Sequence, residues 1–388
     1  MSEDAIVYLD CAATTPMRPV AVEAMLPLLR DGFGNPSGGH AVARAARKVL
    51  EESRETVAAC LGVDPHEVVF TSGGTEADNL AVRGAVESAE GGAACSAVEH
   101  HAVLDPVLAL GGRTLAVDSV GRVDLDALDA ALDDDLAVVS VMLANNETGV
   151  VQPLRAVAEV VRRRAPGALL HTDAVQAVCW LDVADLVSVA DLISVSAHKF
   201  GGAKGVGALV VRRGVELAPL LRGGGQEQER RSGTQNVAGI AAMAAAMAET
   251  VTERSAVVEA VRARRDLLED GLQAAVEGLW PTSPRDARVA GMCHVVVPDV
   301  LSESMLLLME RGGVMASAAS SCASGAVDPS HVLAAMGVDR RRAMGSLRLS
   351  LGRDTTDADI DRALEVIPAA VSQLRGARPV AATGTAAP

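Results

Sequence analysis

Four apolar runs separated by helical segments constrain the fold of this chain more than any other feature. They lie at residues 136–143, 168–174, 191–197 and 206–211 and are rich in Val, Leu, Ile and Ala. Apolar runs of this length are typical of strands that are covered on both faces, as in a parallel sheet. Because helical patterns lie between several of them, residues 60–212 predict an α/β layered fold with a mostly parallel sheet.

After about residue 240 the pattern changes to that of a smaller α+β unit. A long alanine-rich helical stretch leads to a predicted turn at Trp280–Pro281. A short strand, two helices and a further strand at residues 346–351 follow.

We therefore expect two domains. Residues 16–250 form the large domain, and residues 1–15 together with residues 251–376 form the small one. Residues 377–388, which are mostly Ala, Gly, Thr and Pro, have the composition of a disordered tail.

The charge and composition argue against several classes of protein. A net charge of −15 and a pI near 5.0 disfavour direct binding to nucleic acid or to an anionic membrane, because phosphates would be repelled. The chain has no run of the ~20 apolar residues that a membrane helix needs, and no apolar run of signal-peptide length near its start. The six cysteines are widely spread without a C-x-x-C pair, so we expect a cytoplasmic protein with free thiols and no metal site.

Lysine is rare in this chain, and two of its three lysines lie in the glycine-rich stretch at residues 194–205. An amine at the end of a buried strand is costly unless it is neutral, paired or used covalently, and Lys199 has this position. A lysine that loses its proton easily is what Schiff-base chemistry requires, and Ser196 and His198 beside it can donate to a phosphate. A surface lysine is the simpler alternative. The stretch does not fit a nucleotide-binding phosphate loop, because Gly205 stands where that motif has Ser or Thr.

Two further segments carry polar groups at strand ends. Asp173 ends an apolar run, and a buried carboxylate there needs a cationic partner such as a protonated pyridine nitrogen; a helix cap is the alternative. Gly74 and Thr75 follow another strand, at a turn into a helix whose free N–H groups and dipole favour a phosphate.

A histidine pair and a cysteine complete the candidate site residues. His100 and His101 are adjacent, so they are unlikely to bind one metal from a helix, but one of them can stack on a flat ring and move protons. Cys322 lies in a run of Ala, Ser and Gly with little to bury, where an accessible thiol suits a nucleophile that must travel. An incidental surface thiol is the alternative.

The order and context of these segments resemble one family closely. The chain resembles the cysteine desulfurases of the NifS/IscS group over about residues 8–374. The resemblance rests on YLDCAATTP, FGNPS, FTSGGTEADNLA, ANNETGVVQP, HTDAVQA, SVSAHKFGGAKGVGAL, RRSGTQNVAG, SSCASG, DPSHVL and SLRLSLGRDTT, which all appear in the family order. It implies the fold of the type I enzymes that use pyridoxal 5′-phosphate (PLP), with a seven-stranded sheet in the large domain.

The same resemblance implies a role for each cofactor-binding residue. Lys199 would form the Schiff base with PLP, Asp173 would pair with the pyridinium nitrogen, Gln176 would bond the ring hydroxyl and His100 would stack on the ring. The other residues implied to hold the cofactor are Gly74, Thr75, Asn146, Ser196, His198 and, across a homodimer interface, Thr234.

For the substrate and the reaction, the resemblance implies a second set of residues. Asn146 and Arg348 would orient the substrate, with Arg348 clamping its carboxylate through two hydrogen bonds. Lys199 would move the α-proton, His100 would donate and accept the proton of the substrate thiol, and Cys322 would carry the persulfide. The implied reaction converts L-cysteine to L-alanine and passes the sulfur to an acceptor protein of iron–sulfur cluster assembly or of a thiolation pathway.

Two alternatives stay open at this point. One is a selenocysteine lyase or a related PLP lyase or aminotransferase of the same fold, and the other is a non-catalytic scaffold that docks sulfur acceptors. Among the departures from the family pattern, Cys11 stands where Asn, Tyr or Ser is commoner, so a second thiol is expected near the cofactor.

Overall fold

The computed structural model describes residues 6–318 and 330–376, which form three β-sheets surrounded by helices. The strands are β1 (Val7–Tyr8), β2 (Val68–Thr71), β3 (Gly92–Ser96), β4 (Arg113–Leu115), β5 (Leu136–Ser140), β6 (Leu169–Asp173), β7 (Leu192–Ser196), β8 (Gly207–Val211), β9 (Trp280–Pro281), β10 (Met292–Val296), β11 (Val314–Met315) and β12 (Ser346–Ser350). The helices are α1 (Pro19–Arg30), α2 (Ala41–Leu61), α3 (Gly74–Ala89), α4 (His101–Ala109), α5 (Leu125–Ala131), α6 (Leu154–Arg164), α7 (Val183–Leu186), α8 (Val237–Ala275), α9 (Ser302–Arg311), α10 (His331–Ala335), α11 (Arg340–Ala343) and α12 (Asp357–Gly376). The tail expected at residues 377–388 lies outside the described residues.

The central sheet has seven strands in the order β2-β8-β7-β6-β5-β3-β4. The neighbours from β4 to β7 pair in parallel, and β8 pairs antiparallel with both β7 and β2. Every residue of β5, β7 and β8 is buried, as the continuous apolar runs require. The expectation of an α/β fold with a mostly parallel seven-stranded sheet is therefore confirmed.

The apolar runs predict the strand positions to within a few residues. The largest difference is at β5, which ends at Ser140 although its apolar run continues to residue 143. The backbone N–H groups of Val141 and Leu143 still donate to β6, to the carbonyls of His171 and Asp173. The apolar run therefore extends beyond the regular ladder of β5, and its side chains at residues 141–143 are still buried.

The predicted turn at Trp280–Pro281 is wrong. The two residues form β9, which pairs antiparallel with Val296 and Val295 of β10. This small sheet has the order β12-β10-β9, so β9 lies at its edge. An edge strand tolerates a proline because the missing N–H faces away from the ladder.

Helix α8 joins the two main apolar cores of the described residues. Ile240 and Met247, in its first half, pack in the core around the central sheet. Val261 and Leu268, in its second half, pack in the core beside β10 and β12. Within the described residues, no helix is both long and apolar enough to cross a membrane.

The segment after β1 crosses between these two parts of the molecule. β1 pairs in parallel with β11, and the N–H of Cys11 donates to the carbonyl of Ser350 at the end of β12, at 3.1 Å. Four residues further on, the N–H of Thr15 donates to the carbonyl of His198, which follows β7, at 3.1 Å. The segment is therefore hydrogen-bonded to the small sheet at one end and to the central sheet at the other.

A buried ion pair connects α2 to a strained turn. Both guanidinium nitrogens NH1 and NH2 of Arg54 donate to the carboxylate of Glu227, each at 2.9 Å, and the N–H of Phe70 donates to the same carboxylate. The two side chains are 7% and 1% exposed. Glu227 and the two residues after it have φ angles of 48°, 59° and 65°, which are unfavourable for residues other than glycine. The ion pair therefore holds in place a backbone conformation that local preferences oppose.

We expect Arg54→Met to lower the free energy of unfolding by about 3–5 kcal/mol, because it removes the cation that is paired with the buried Glu227 carboxylate. Lys48→Met on the same helix is the matched control, since it removes the Lys48–Glu52 pair, whose side chains are 74% and 61% exposed. That change should cost less than about 1 kcal/mol. Urea unfolding followed by circular dichroism measures both variants, and equal losses would contradict the prediction.

Candidate active site

A cavity of about 430 Å³ lies where the strands of the central sheet end and the small sheet approaches. In an open α/β sheet this carboxyl edge is where ligands bind. Ten of the residues predicted from the sequence line the cavity: Gly74, Thr75, His100, Asn146, Asp173, Gln176, Ser196, His198, Lys199 and Arg348.

Lys199 ends a single 3₁₀ turn, Ala197–Lys199, directly after β7. Its Nζ donates to the backbone carbonyls of Ala12 and Ala13, at 2.6 and 3.0 Å. Burial, with a smaller contribution from the positive charge of Arg348, lowers the pKa of the Lys199 amine to about 8. The amine therefore loses its proton more readily than an exposed lysine, as attack on a carbonyl carbon requires.

Asp173 ends β6 and faces the same cavity. Its Oδ1 accepts from the N–H of Val175 at 2.8 Å. Burial raises the pKa of the carboxyl to about 6, while the Val175 N–H and the charge of Lys199 oppose this shift. Gln176 is held nearby because its Nε2 donates to the carbonyl of Ala12 at 2.8 Å. A cationic ring nitrogen beside Asp173 would stabilise its ionised form.

Helix α3 presents its N-terminus to the cavity. The helix starts at Gly74, and Gly73 before it provides no side-chain cap, so the first N–H groups are available to a ligand. A Cβ atom at Gly74 would lie 2.9 Å from Cγ2 of Val175, so glycine is what allows α3 to begin this close to the segment after β6. Free N–H groups and the helix dipole make this end of α3 suitable for a phosphate.

Ser196 and His198 line the same cavity as this helix end. Ser196 is the last residue of β7, and His198 lies in the turn that follows. Nδ1 of His198 is 3.1 Å from Oγ1 of Thr14. Burial and the nearby charge of Lys199 lower the pKa of His198 to about 4, so the ring is neutral at pH 7 and can donate a hydrogen bond from one nitrogen.

His100 is the N-cap of α4, and its position is fixed by that role. Its Nδ1 accepts from the N–H of Ala102 at 3.1 Å, which leaves Nε2 to carry the proton of the neutral ring. Burial, together with the positive charge of Lys199, lowers the pKa of His100 to about 4. The second histidine of the pair, His101, contacts the ring of His331 with centroids 4.7 Å apart.

Arg348 reaches the cavity from the small sheet, in the middle of β12. Its NH1 donates to the carbonyl of Asn146 at 2.9 Å, and its NH2 donates to Oδ1 of Asp10 at 2.8 Å. Its Nε is buried and has no partner within the described residues. The same holds for Oδ1 of Asn146. These two unpaired groups are available to a polar ligand in the cavity.

The two other predicted site residues differ from these ten. Thr234 is exposed, in the loop between Arg230 and α8, and is absent from the cavity lining. Cys322 lies outside the described residues.

The sequence reasoning assigned no role to three residues that the structure brings to this site. Asp10 and Ala12 belong to the YLDCAATTP segment, from which only Cys11 was considered, and they hold Arg348 and Lys199 respectively. Glu147 lines the cavity, accepts a hydrogen bond from the Ser330 hydroxyl and has its pKa raised by burial to about 7. All three residues lie in segments that carry the family resemblance, and this position is the sequence signal that points to a role in the site.

Cys11 does not face this cavity. It lines a neighbouring cavity of about 440 Å³, together with Cys179, on the other side of the segment after β1. Burial raises the pKa of Cys11 to about 12, so it remains a protonated thiol at neutral pH.

The residues around the 430 Å³ cavity fit PLP. The cavity combines a deprotonatable amine at Lys199, a buried carboxyl at Asp173 and an open helix N-terminus at Gly74. These three groups complement the aldehyde, the ring nitrogen and the phosphate of PLP. Within the described residues, no cluster of His, Cys, Asp and Glu is able to hold a metal ion.

Known proteins resemble this chain over nearly its whole length. Residues 7–363 match the family Aminotransferase class-V. A cysteine desulfurase of Gluconacetobacter diazotrophicus is 43% identical over 96% of this chain and 95% of its own. An IscS-like cysteine desulfurase of Mycobacterium tuberculosis is 43% identical over 97% of this chain and 99% of its own. A solved NifS-like protein superposes with a TM-score of 0.89, at 35% identity, over 95% of this chain and 100% of that one.

All three of these similar proteins align with nearly the whole chain, at identities well above the level that shows only a common fold. Their agreement also confirms the expectation of a PLP-dependent type I fold. The chain belongs to the class-V aminotransferase family, in its NifS/IscS group of cysteine desulfurases, whose members depend on PLP.

Proposed function

We propose that the protein converts L-cysteine to L-alanine and transfers the sulfur through a persulfide on Cys322 to an acceptor protein. The observation that carries this proposal is the cavity in which the Lys199 amine, with its lowered pKa, lies with Asp173 and Arg348. This combination suits PLP chemistry on a substrate that carries a carboxylate. The two relatives named above are both called cysteine desulfurases.

Each residue of the cavity would bind one part of PLP. Lys199 would hold it covalently, Asp173 would pair with the ring nitrogen, Gln176 would bond the ring hydroxyl and His100 would lie against the ring. The phosphate would be held by the N-terminus of α3 with Gly74 and Thr75, and by Ser196 and His198. When bound, PLP supplies an electron sink for the electrons that remain when the substrate loses its α-proton.

Two residues would orient the substrate. Arg348 would bind the carboxylate, because a guanidinium donates two parallel hydrogen bonds to it. Its bonds to Asp10 and to the Asn146 carbonyl set the direction of the guanidinium before the substrate arrives. Asn146 would bond the substrate or the cofactor through its unpartnered Oδ1 and the adjacent amide nitrogen.

Two residues would act on protons of the substrate. The neutral Lys199 amine would take the substrate α-proton, which its lowered pKa favours. His100 would donate a hydrogen bond from its Nε2–H to the substrate sulfur, since Nδ1 is already occupied by the Ala102 N–H.

Sulfur transfer would use a thiol from another part of the chain. The Cys322 thiolate would attack the substrate sulfur, so that a sulfur–sulfur bond forms while the bond between Cβ and sulfur breaks. The carbon keeps the bonding electrons and takes up a proton, which completes the methyl group of alanine. The acceptor would take the sulfur from Cys322 by a second attack of the same kind, in iron–sulfur cluster assembly or in a thiolation pathway.

We also propose a homodimer in which Thr234 reaches the phosphate bound by the partner subunit. Thr234 is exposed and lies outside the cavity of its own chain. Helix α1 exposes an apolar stripe of Val22, Leu26 and Leu29, and Phe33 after it is 83% exposed. A patch of this kind suits a protein–protein interface.

The domain boundaries and the cellular location are proposals as well. We propose residues 16–250 as the cofactor-binding domain and residues 1–15 with 251–376 as the small domain, supported by the two separate apolar cores. We propose the cytoplasm as the location, because the five cysteines within the described residues are all free thiols.

One assay tests the proposed activity directly. The purified protein loaded with PLP should release alanine from L-cysteine in amounts equal to the sulfur recovered as persulfide or sulfide. A selenocysteine lyase would instead release alanine from L-selenocysteine and leave L-cysteine unchanged. A docking scaffold would show no turnover and no visible absorbance of bound PLP.

Lys199→Ala should abolish turnover and the visible absorbance of the bound cofactor, because the variant lacks the amine that holds it. Lys204→Ala is the matched control, since this lysine is exposed five residues further on and does not line the cavity. Absorbance spectra and alanine assays compare the two. Native absorbance and turnover in Lys199→Ala would refute the assignment of the cofactor site.

Arg348→Lys should raise the KM for cysteine about tenfold or more, because a point charge cannot replace a two-pronged contact worth about 1.5–3 kcal/mol. Arg353→Lys is the control, since Arg353 lines the neighbouring cavity and pairs with Glu249 and Asp354. Steady-state kinetics on both variants give the comparison. An unchanged KM in Arg348→Lys would mean that the substrate carboxylate binds elsewhere.

Cys322→Ser should retain PLP and its absorbance but should form no persulfide, because a serine hydroxyl is a poor nucleophile toward sulfur. Labelled cysteine measures this, since ³⁵S should remain on the wild-type chain without reductant and be absent from the variant. Cys11→Ser is the control and should keep the label, because Cys11 is a half-buried thiol whose raised pKa keeps it protonated. Label on the Cys322→Ser variant would refute the role of Cys322.

A further inference from the structure

A second buried carboxyl, Asp78, lines the same cavity as Asp173. Asp78 lies on α3 one turn after Gly74, so its side chain shares the face of the helix that looks into the cavity. The residue is 1% exposed, and its Oδ1 has no hydrogen-bond partner within the described residues. No role in the proposed reaction uses this carboxyl.

The groups in contact with Asp78 are neutral. The hydroxyl of Ser194 hydrogen-bonds to its side chain. Nε2 of His171 lies 3.6 Å from its Oδ1, and the same ring contacts Oγ of Ser140 through Nδ1 and Oγ of Ser194 through Nε2, at 2.7 and 3.0 Å. Burial lowers the pKa of His171 to about 3, so this ring does not provide a positive charge.

The wider surroundings of Asp78 contain both acids and bases. The titratable groups that face it or share its cavity are Glu99, His100, His101, Glu147, His171, Asp173, His198, Lys199, His331 and Arg348. Glu99 is fully buried with an unpartnered Oε2, and burial raises its pKa. Another acid near Asp78 makes ionisation of Asp78 less favourable.

Two buried carboxyls that line one cavity disfavour each other's ionisation, so the one with the poorer environment for a negative charge keeps a proton. Asp173 has the better environment for a negative charge, because it accepts from the Val175 N–H and is attracted by the charge of Lys199. Asp78 has a hydroxyl partner at one oxygen and none at the other. Burial, with the charge of Asp173, raises its pKa well above the ordinary value.

We propose that Asp78 is a positioning residue that stays protonated in the wall of the cavity and thereby leaves the negative charge of the pair on Asp173. The negative charge then lies on Asp173, the residue that pairs with the ring nitrogen of PLP in the proposed function. The role of Asp78 toward the cofactor rests on that proposed function, whereas its protonation is a property of the chain alone.

The first test measures the stability of the cofactor-free protein against pH. Because folding raises the pKa of Asp78, the folded state holds a proton that the unfolded state releases above about pH 4, so stability is lost as the pH rises. Asp78→Asn is neutral at every pH and removes this loss. We expect the melting temperature of the variant to exceed that of the wild type by about 2–4 °C at pH 8 and by less at pH 5.

Asp361→Asn is the matched control, since Asp361 is exposed on α12. It should change the melting temperature equally at both pH values. A gain in Asp78→Asn that does not grow with pH would overturn the proposal. Failure of Asp78→Asn to fold would also overturn the proposal, because Asn is the neutral isostere of a protonated Asp and should be tolerated in its place.

A second test observes the proton directly. The infrared difference spectrum between wild type and Asp78→Asn, both without cofactor, should contain the C=O band of a protonated carboxylic acid, which shifts in D₂O. A carboxylate band in its place would overturn the proposal. Neither measurement uses cysteine, so both keep their meaning even if the desulfurase activity fails.

A third measurement connects Asp78 with the cofactor. Asp78→Asn should bind PLP within about threefold of the wild-type affinity. Asp173→Asn should weaken binding by about tenfold or more, because the ring nitrogen loses its ionic partner. A tenfold loss of affinity corresponds to about 1.4 kcal/mol. A loss of affinity in Asp78→Asn as large as that in Asp173→Asn would mean that Asp78 itself carries the charge.

Discussion

The backbone carbonyls of Ala12 and Ala13 hold the amine of Lys199, and the rest of the site depends on this contact. These carbonyls belong to the segment that hydrogen-bonds to Ser350 of the small sheet at one end and to His198 at the other. The same segment supplies the carbonyl that orients Gln176 and, at Asp10, the carboxylate that orients Arg348. A few residues near the start of the chain therefore set the position of groups that are 164 to 338 residues away in sequence.

Burial of its side chains gives the cavity its chemical properties. Burial lowers the pKa of Lys199, His100 and His198 and raises that of Asp173. All four shifts favour the neutral form, because a low-dielectric surrounding penalises charge of either sign. The two histidines are thus uncharged at neutral pH, whereas the Lys199 amine, with a pKa of about 8, keeps its charge in part and releases its proton more readily than an exposed lysine.

Much of the fold could be predicted from the sequence because the central strands are buried on both faces. Continuous apolar runs identified β5 to β8 to within a few residues, since no solvent-exposed face interrupts their pattern. The edge strand at Trp280–Pro281 was missed because a two-residue strand has no period of its own. The strain at Glu227 was also beyond sequence reasoning, since Arg54 stabilises it from a distant helix.

The sequence by itself determined the residue types of the site and their attachment to strand ends, because Asp173 lies at the end of an apolar run and Lys199 and Gly74 each follow one within a few residues. Only the tertiary structure decided which groups share one cavity. Cys11 is adjacent to Ala12 in sequence yet faces a different cavity, whereas Asp78 and Asp173 come from separate elements and line the same one. The physical reason is that pKa values and hydrogen-bond partners depend on burial and on through-space neighbours, and these exist only after the helices have packed on the sheet.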